Sequence, residues 1–275
     1  ETVKIYWGDG TNSTGVNGDN THVYAVGGVY TVKIESRLFG GIYFNNLGDK
    51  AKITKIANYG QGVSRLNIGS FYGCSSLLSI DIGNIVSNGA DATNQYRGCT
   101  ALTTVPLFNL SKVTNAYAMF AYCPVTTVPL FNLSNCTSTR SMFFQCTALT
   151  TVPLLNLSSV TNVYAMFYQC TALTTVPLFD LSSVTDATTM FYQCTALTTV
   201  PLLNLSKVTD ATNMFSGVTL TTQSYSDFLI NLATLPLKSG VSFHGGNSKY
   251  NPTAAIARAY LISNFGWTIT DGGAA

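Results

Sequence analysis

A phrase of 24 residues recurs through the middle of the chain and limits, more than any other feature, what the chain can fold into. It reads CTALTTVPLFNLSKVTNAYAMF from Cys99 and returns from Cys123, Cys146, Cys170 and Cys194. All five methionines, and five of the eight prolines, keep one position each within the phrase. A fixed period in the twenties is typical of a solenoid, in which each repeat buries its apolar face only against its neighbours.

The first half of each repeat has the pattern of a short strand. In one repeat, Leu173-x-x-Val176-x-Leu178 matches the strand signature of leucine-rich repeats, and we expect these three side chains to point inward. Because side chains alternate along a strand, the intervening and following residues are predicted to point outward, and adjacent threonines to face opposite ways. In five repeats the outward residues form a candidate binding or assembly strip, made of Thr104, Pro106, Phe108, Thr127, Pro129, Phe131, Thr151, Pro153, Leu155, Thr175, Pro177, Phe179, Thr199, Pro201 and Leu203.

The proline of each strip row removes one backbone donor, so the strands are predicted to have only roughly three or four bonded residues. The second half of the repeat then returns, and Val184, Met190 and Phe191 are predicted to be buried there. A polar residue at the corner between the halves is suited to an Asx turn, in which its side-chain oxygen accepts a neighbouring backbone N–H. In three repeats this residue is Asn156, Asp180 or Asn204.

Six of the seven cysteines recur once per repeat and are predicted to form a column: Cys74, Cys99, Cys123, Cys146, Cys170 and Cys194. Neighbours in such a column lie about 4.8 Å apart, but parallel side chains do not present the torsion that a disulfide needs. Cys136 stands where other repeats have valine, so it is predicted to act as a small apolar residue. The sequence therefore predicts buried free thiols, and the column lacks the paired CxxC clusters and histidines of a zinc site.

Composition excludes several classes of function. Charged residues make up 9% of the chain, against roughly 25% in ordinary soluble domains. A net charge of +2 without a basic stripe argues against nucleic-acid binding, and no apolar run reaches the roughly 18 residues of a membrane span. Only two histidines are present, and no Ser/His/Asp grouping, carboxylate pair or phosphate loop stands out. We therefore predict no enzyme activity, no cofactor and no metal.

Residues 1–36 lie outside the repeats and are predicted to form a β module. Two strand-like segments, Thr2–Trp7 and Gly28–Glu35, flank a Gly-Asp-Gly turn. The motif WGDG, followed by HVY and GVYTV, resembles the second half of a polycystic-kidney-disease (PKD) type β-sandwich. The resemblance implies that the opening strands precede Glu1 in a longer protein, or that this module is a minimal β cap. Its unpaired strand edges predict a homo-oligomer or a larger assembly.

Residues 37–70 are predicted to be a transition with a first degenerate repeat, and residues 71–223 the solenoid itself. Residues 224–275 are predicted to form a cap that shields the last repeat. Its predicted elements are a helix Ser226–Leu232, a strand Val241–Phe243, a helix from Asn251 to Ser263 that ends at Gly266, and a strand Trp267–Thr270.

The second cap helix carries apolar residues at helical spacing, namely Ile256, Ala259, Tyr260 and Ile262. The predicted fold is therefore a β-rich α/β solenoid of leucine-rich-repeat-like coils of about 24 residues, with an N-terminal β module and a C-terminal α/β cap.

The segment FYGCSSL from Phe71 and the repeated Met-Phe-x-x-Cys-x-x-Leu resemble the BspA-like leucine-rich repeat surface proteins over roughly residues 50–223. The resemblance implies a non-enzymatic, extracellular or cell-surface binding or structural protein of the adhesion type, whose partner is a protein or glycan on a cell surface. A similar layout occurs in bacteriophage tail and fibre genes. A virion fibre or receptor-binding component, or a subunit of an extracellular filament, is therefore the alternative.

Overall fold

The computed structural model describes residues 3–15, 21–35, 47–57, 69–81 and 91–275. Of the transition predicted for residues 37–70, this covers only 47–57 and 69–70, and the remainder of that prediction lies outside the described residues.

The N-terminal module contains a three-stranded antiparallel sheet in the order β2-β1-β3. Its strands are β1 (Val3–Tyr6), β2 (Asn12–Gly15) and β3 (Lys33–Glu35). The strand predicted from Gly28 thus begins only at Lys33. The reason is that the ladder between β1 and β3 ends at the pair Tyr6–Lys33, because the next N–H, that of Trp7, donates to the Thr11 carbonyl of its own turn at 3.1 Å.

The second half of each repeat, called here the return segment, links the repeats through parallel bridges between equivalent residues. The bridged residues are Asp91, Asn115, Ser138, Asn162, Asp186 and Asp210.

Every backbone N–H of residues 163–170 has a partner, and the partners alternate. The odd-numbered residues from 163 to 169 donate to carbonyls of the next repeat over 2.7–3.0 Å. The even-numbered residues from 166 to 170 donate to the carbonyl three residues earlier and close successive β-turns. Tyr164 donates to the side-chain oxygen of Asn162 at 2.9 Å. The return segment therefore satisfies its own donors and binds its neighbour at the same time.

This alternation holds two residues of each repeat, four positions apart, in the left-handed backbone region. Some of these positions are occupied by residues that tolerate it, such as Gly73 (φ 76°) and Asn213 (φ 56°). Other positions are occupied by residues that tolerate this region poorly, such as Ala165 (φ 52°) and the β-branched Thr189 (φ 54°). For such residues the left-handed conformation costs about 1–2 kcal/mol, which the hydrogen bonds to the next repeat offset.

The first half of each repeat, called here the front segment, is paired more weakly. After a short 3-10 helix (Lys50–Lys52), β4 (Lys55–Ala57) and β5 (Ser79–Asp81) form a parallel pair. In residues 102–110 and their later equivalents the front segment contains no strand, so the predicted run of bonded residues is wrong there. Proline stands at the position of Asp81 in those repeats and removes the donor that a ladder requires.

The core is a column of stacked rings, one from each repeat, with centroids 5.3–5.9 Å apart and planes within 9° of parallel. The column consists of Phe71, Tyr96, Phe120, Phe143, Phe167, Phe191 and Phe215. Val184 and Met190 are buried beside it as predicted. Offset stacking of this kind adds to the free energy gained by burying each ring.

All seven cysteines are buried and free. Along the column, the thiol of Cys170 lies 3.1 Å from the carbonyl oxygen of Phe143, and that of Cys194 lies 3.0 Å from that of Phe167. Burial raises the pKa of the Cys194 thiol to about 12. The column therefore supplies weak S–H donors to backbone carbonyls.

The C-terminal segment contains α1 (Thr222–Leu232), β6 (Ser242–His244), α2 (Pro252–Phe265) and β7 (Thr268–Thr270). The two strands pair in parallel, and the Phe215 N–H donates to the His244 carbonyl at 3.0 Å, so β6 continues the return segments. As predicted, Asn251 caps α2 and Gly266 (φ 65°) ends it. The first helix begins four residues earlier than predicted, because the side chain of Thr221 accepts the Ser224 N–H.

The apolar residues predicted at helical spacing on α2 form its exposed face, with Ile256 75% exposed. Its buried residues are Ala254, Ala257 and Leu261. The small alanine side chains allow α2 to lie close to α1, with which it is in contact.

One buried carboxylate joins the parts of the C-terminal segment. The Asp271 side chain is only 2% exposed and pairs with Arg258 at 2.8 Å. The same oxygen accepts the hydroxyl of Tyr225 from α1 at 2.9 Å. Burial, followed by the charge of Asp271, raises the pKa of Tyr225, so this hydroxyl stays protonated as a donor.

At the junction, Gly246 (φ 74°) approaches the last repeat so closely that a Cβ would lie 2.1 Å from the Val218 carbonyl oxygen. The segment thus covers the open end of the repeats. Its edge-on rings Phe228 and Phe243 end the stacked column at Phe215. That this stack is a solenoid of the leucine-rich-repeat class stays a prediction.

We expect Thr189→Asn to raise the free energy of unfolding by about 1 kcal/mol, because asparagine tolerates the left-handed region better than a β-branched residue. The reverse change at the equivalent position of the next repeat, Asn213→Thr, should lower it by a similar amount. Denaturation in guanidinium measures both. Thr188→Asn, at a neighbouring residue, is the control, and equal shifts for Thr188→Asn and Thr189→Asn would contradict the assignment of strain.

Iodoacetamide should label none of the seven cysteines in the native protein at pH 8, and all seven after unfolding without reductant. The thiolate is the reactive form, and burial raises the pKa of Cys136 to about 11 and that of Cys74 to about 12. Mass spectrometry counts the labels. Cysteines that remain unlabelled in the unfolded, unreduced protein would indicate disulfides and overturn the free-thiol assignment.

Candidate functional site

The structure corrects the predicted strip at one residue in each row. Thr104, Thr127, Thr151, Thr175 and Thr199 are exposed as predicted, and the prolines that follow them are half-buried. The last member of each row is buried instead of exposed: Phe108, Phe131, Leu155, Phe179 and Leu203. The leucine before it, which the strand pattern predicted to point inward at Leu178, is exposed in each row.

A tight turn after the proline is the physical reason for this correction. The Phe179 N–H donates to the Pro177 carbonyl at 2.8 Å, a bond across three residues that closes a γ-turn centred on Leu178. Leu155 and Leu203 make the same bond in their own repeats. The alternation of an extended strand ends at this turn, so the central leucine points out and the next residue points in.

In the three rows that carry phenylalanine, the ring enters the core and stacks on its neighbours, and in the other two rows Leu155 or Leu203 takes the same buried position. Phe108 stacks against Tyr96 at 5.4 Å and against Phe131 of the next repeat at 6.0 Å. Phe179 lies 6.1 Å from Phe167 of the central column. These rings therefore extend the core, and they are not available to a partner.

The alternation predicted for adjacent threonines is also wrong. Thr174 and Thr175 are both exposed, as are their equivalents in the other rows. The first of each pair is held by the neighbouring repeat: the Thr174 N–H and hydroxyl both point at the Thr150 carbonyl, at 3.1 and 3.3 Å. Hydrogen bonds of this kind keep the exposed threonines in register.

These residues define the candidate site, called here the Thr–Leu strip: Thr104, Pro106, Leu107, Thr127, Pro129, Leu130, Thr151, Pro153, Leu154, Thr175, Pro177, Leu178, Thr199, Pro201 and Leu202. Its five leucines are 50–63% exposed. The strip contains no charged residue. Single exposed leucines are ordinary in proteins, but one in each of five stacked repeats forms a continuous apolar row, which marks an interaction surface.

The last row of the strip opens into a groove that the sequence did not indicate. Helix α1 lies beside this row and, together with Thr199 and Leu202, encloses a groove of about 600 Å³. Gln223, Asp227 and Ile230 line it from the helix. The sequence did contain one signal for this groove. A helix was predicted only a few residues after the last repeat, and a helix so close in the chain must pack beside the last row.

A second column also escaped the sequence analysis. Phe144, Tyr168 and Tyr192 stack at 4.6 and 4.7 Å with nearly parallel rings, and the Gln145 side-chain amide donates to that of Gln169 at 2.5 Å. The repeated Phe-Tyr-Gln-Cys motif was the signal for it. The rings cover one another's faces, so this column stabilises the stack instead of presenting a surface for ligands.

In the N-terminal module, Asp9 caps its own turn. The Thr11 N–H and hydroxyl reach its Oδ1 at 2.9 and 2.6 Å, and His22 Nε2 lies 2.7 Å from its Oδ2. The Thr11 hydroxyl, followed by His22, lowers the pKa of Asp9 to about 2. The imidazole of His22 also stacks on Trp7 at 4.9 Å. Both carboxylate oxygens thus have partners within the module, which fits a structural turn.

Within the described ranges, no group of three or more His, Cys, Asp or Glu side chains could hold a metal ion. None of the helices that the structure describes is long and apolar enough to cross a membrane.

The corrected register predicts opposite outcomes for two adjacent residues. Leu178→Ala should change the free energy of unfolding by less than about 0.5 kcal/mol, as a surface substitution does. Phe179→Ala should lower it by about 3–5 kcal/mol, because it leaves a cavity in the core. Chemical denaturation of both variants gives the comparison. If Leu178→Ala lowered the free energy of unfolding more than Phe179→Ala, Leu178 would be the buried residue, as the sequence pattern predicted, and the corrected register would be wrong.

One family model matches the chain, described as "Mycoplasma protein of unknown function, DUF285". It matches residues 90–198 and, in an overlapping second match, residues 123–228. No curated protein and no solved structure matches the chain. The two family matches together span residues 90–228 of 275, just over half of the chain, and coincide with the repeats. The chain therefore belongs to the DUF285 family.

Proposed function

We propose that the chain is a non-enzymatic binding module of the adhesion type, located outside the cell or on its surface. In this proposal the repeats form a solenoid akin to those of BspA-like surface proteins, and residues 1–36 belong to a PKD-type module. The Thr–Leu strip is the binding surface, and its partner is a protein or glycan on a cell surface. The repeats act as a rigid support that holds equivalent side chains at a constant spacing.

The exposed leucine row is the observation that carries the proposal. In every row the residue after the leucine is buried and the leucine itself is left in water, so five apolar side chains are exposed in succession. Fully burying an exposed leucine contributes about 1.5–3 kcal/mol, and because these leucines are 50–63% exposed, roughly half of that gain per residue is still available to a partner that covers the row.

Rigidity supports the same proposal. The return segments are joined by backbone hydrogen bonds at successive repeats, and threonine hydroxyls such as those of Thr150 and Thr174 bond to the preceding repeat. A surface that is already ordered loses little conformational entropy on binding. The absence of charge on the strip removes the desolvation cost that buried ions would add.

The test is binding of the fluorescently labelled protein to epithelial and bacterial cells, measured by flow cytometry. The triple variant Leu130→Gln/Leu154→Gln/Leu178→Gln should reduce the bound signal at least about tenfold at subsaturating concentration, since a loss of 1.4 kcal/mol is tenfold in affinity. Its thermal stability should be unchanged, because all three positions are exposed.

The matched control is Ile256→Gln/Tyr260→Gln/Ile262→Gln, which makes the same kind of change at exposed apolar positions of α2. This variant should bind like the native protein. Equal losses in the two triple variants, or no binding of the native protein to any cell, would refute the Thr–Leu strip as an adhesive surface.

A further inference from the structure

We propose that the groove between the last strip row and α1 binds a neutral oligosaccharide. The inference extends the proposed function, because Thr199 and Leu202 belong both to the Thr–Leu strip and to the groove. It names a second, more specific site and the chemical class of its ligand.

The groove has the size and the fixed walls of a small-molecule site. Its volume of about 600 Å³ falls within the range of ligand pockets. The Ser224 hydroxyl accepts the Val200 N–H at 3.0 Å and donates to the Val200 carbonyl at 3.4 Å, which fastens α1 to the last repeat. The Asn231 side-chain amide reaches the Leu203 carbonyl at 3.4 Å further along the helix. The two walls are therefore held in place without a ligand.

The helix presents one continuous face to the groove. Gln223, Asp227 and Ile230 lie at intervals of four and three residues and line it, and Thr234, just beyond the end of α1, lines it as well. The Gln223 amide donates to Oδ1 of Asp227 at 2.8 Å, which leaves Oδ2 as an acceptor for a ligand. The face thus combines a carboxylate and an amide, joined by a hydrogen bond, with an apolar side chain.

The chemistry of the lining selects against charged anions and for hydroxyl groups. No Lys, Arg or His lines the groove, and Asp227 is its single charge. The oxygens of Asp227, Gln223 and Asn231 are acceptors, and the Thr199 hydroxyl both donates and accepts. Sugar hydroxyls match this set because each can donate and accept, whereas phosphate, sulfate or sialic acid would face the carboxylate.

The apolar side chains complete the match. Leu202 and Ile230 stand on opposite sides of the groove, one on the repeat and one on the helix. The C–H faces of a pyranose ring can pack on such side chains while its hydroxyls reach the polar groups. Because the groove continues the Thr–Leu strip, the ligand expected is a chain of sugars and not a single one.

The probes are neutral hexasaccharides (cellohexaose, maltohexaose, xylohexaose and N-acetylchitohexaose) immobilised on an array with a sialylated glycan as the anionic comparison. Hits are then measured by titration calorimetry with the full chain. The native protein should bind at least one neutral hexasaccharide, and its affinity should change little with salt, because no ion pair is formed. Asp227→Ala should weaken binding tenfold or more, and Asp227→Asn by less.

Asn264→Ala, an exposed asparagine on α2, is the control and should bind like the native protein. Unchanged melting temperatures of the variants separate lost binding from lost folding, since Asp227 is exposed and bonded only to Gln223 among the described side chains. The proposal is overturned if no neutral hexasaccharide binds, if only the sialylated glycan binds, or if Asp227→Ala binds like the native protein.

The leucine triple variant distinguishes this inference from the proposed function. Glycan binding that is lost in Asp227→Ala but kept in Leu130→Gln/Leu154→Gln/Leu178→Gln supports a groove site even if the cell-binding assay fails. Glycan binding that is lost only in the leucine variant places the sugar on the strip and overturns the groove site while the proposed function stands.

Discussion

The alternating backbone hydrogen bonds of the return segment are the interaction on which the rest of the structure depends. Within the return segment, about half of the backbone donors close the repeat's own turns and the other half bind the next repeat. This arrangement fixes the stacking of equivalent residues, so every side chain is repeated in a column. The aromatic core column, the cysteine column and the Thr–Leu strip all follow from that single register.

The same arrangement explains why the repeats accept unfavourable backbone conformations. A regular helix would bond all of its donors internally and leave none for the neighbouring repeat. Left-handed residues such as Ala165 and Thr189 turn alternate N–H groups outward instead. A buried donor without a partner costs about 1–3 kcal/mol, so four satisfied donors per interface outweigh two strained residues.

The front segment is free to serve a different purpose because the return segment already holds the stack together. Proline weakens the front ladder, and one leucine per repeat is left at the surface, in three of the repeats through a γ-turn after the proline. A helix then closes the last row and forms the groove. The adhesion strip and the sugar-binding groove that we propose therefore both lie on the front segment, which does not have to hold the repeats together.

The sequence by itself determined the period, the buried positions Met190 and Cys194, the Asx turns at residues such as Asn156, and the caps of α2. These depend on local chemistry or on a pattern repeated in every coil. Only the tertiary structure decided that Leu178 is exposed and Phe179 buried, and that α1 forms a groove with the last repeat. Side-chain alternation holds while a strand is bonded to its neighbours, and proline removes that bonding. Whether the chain then turns depends on the space that the adjacent repeats leave in the core for the residue after the exposed leucine.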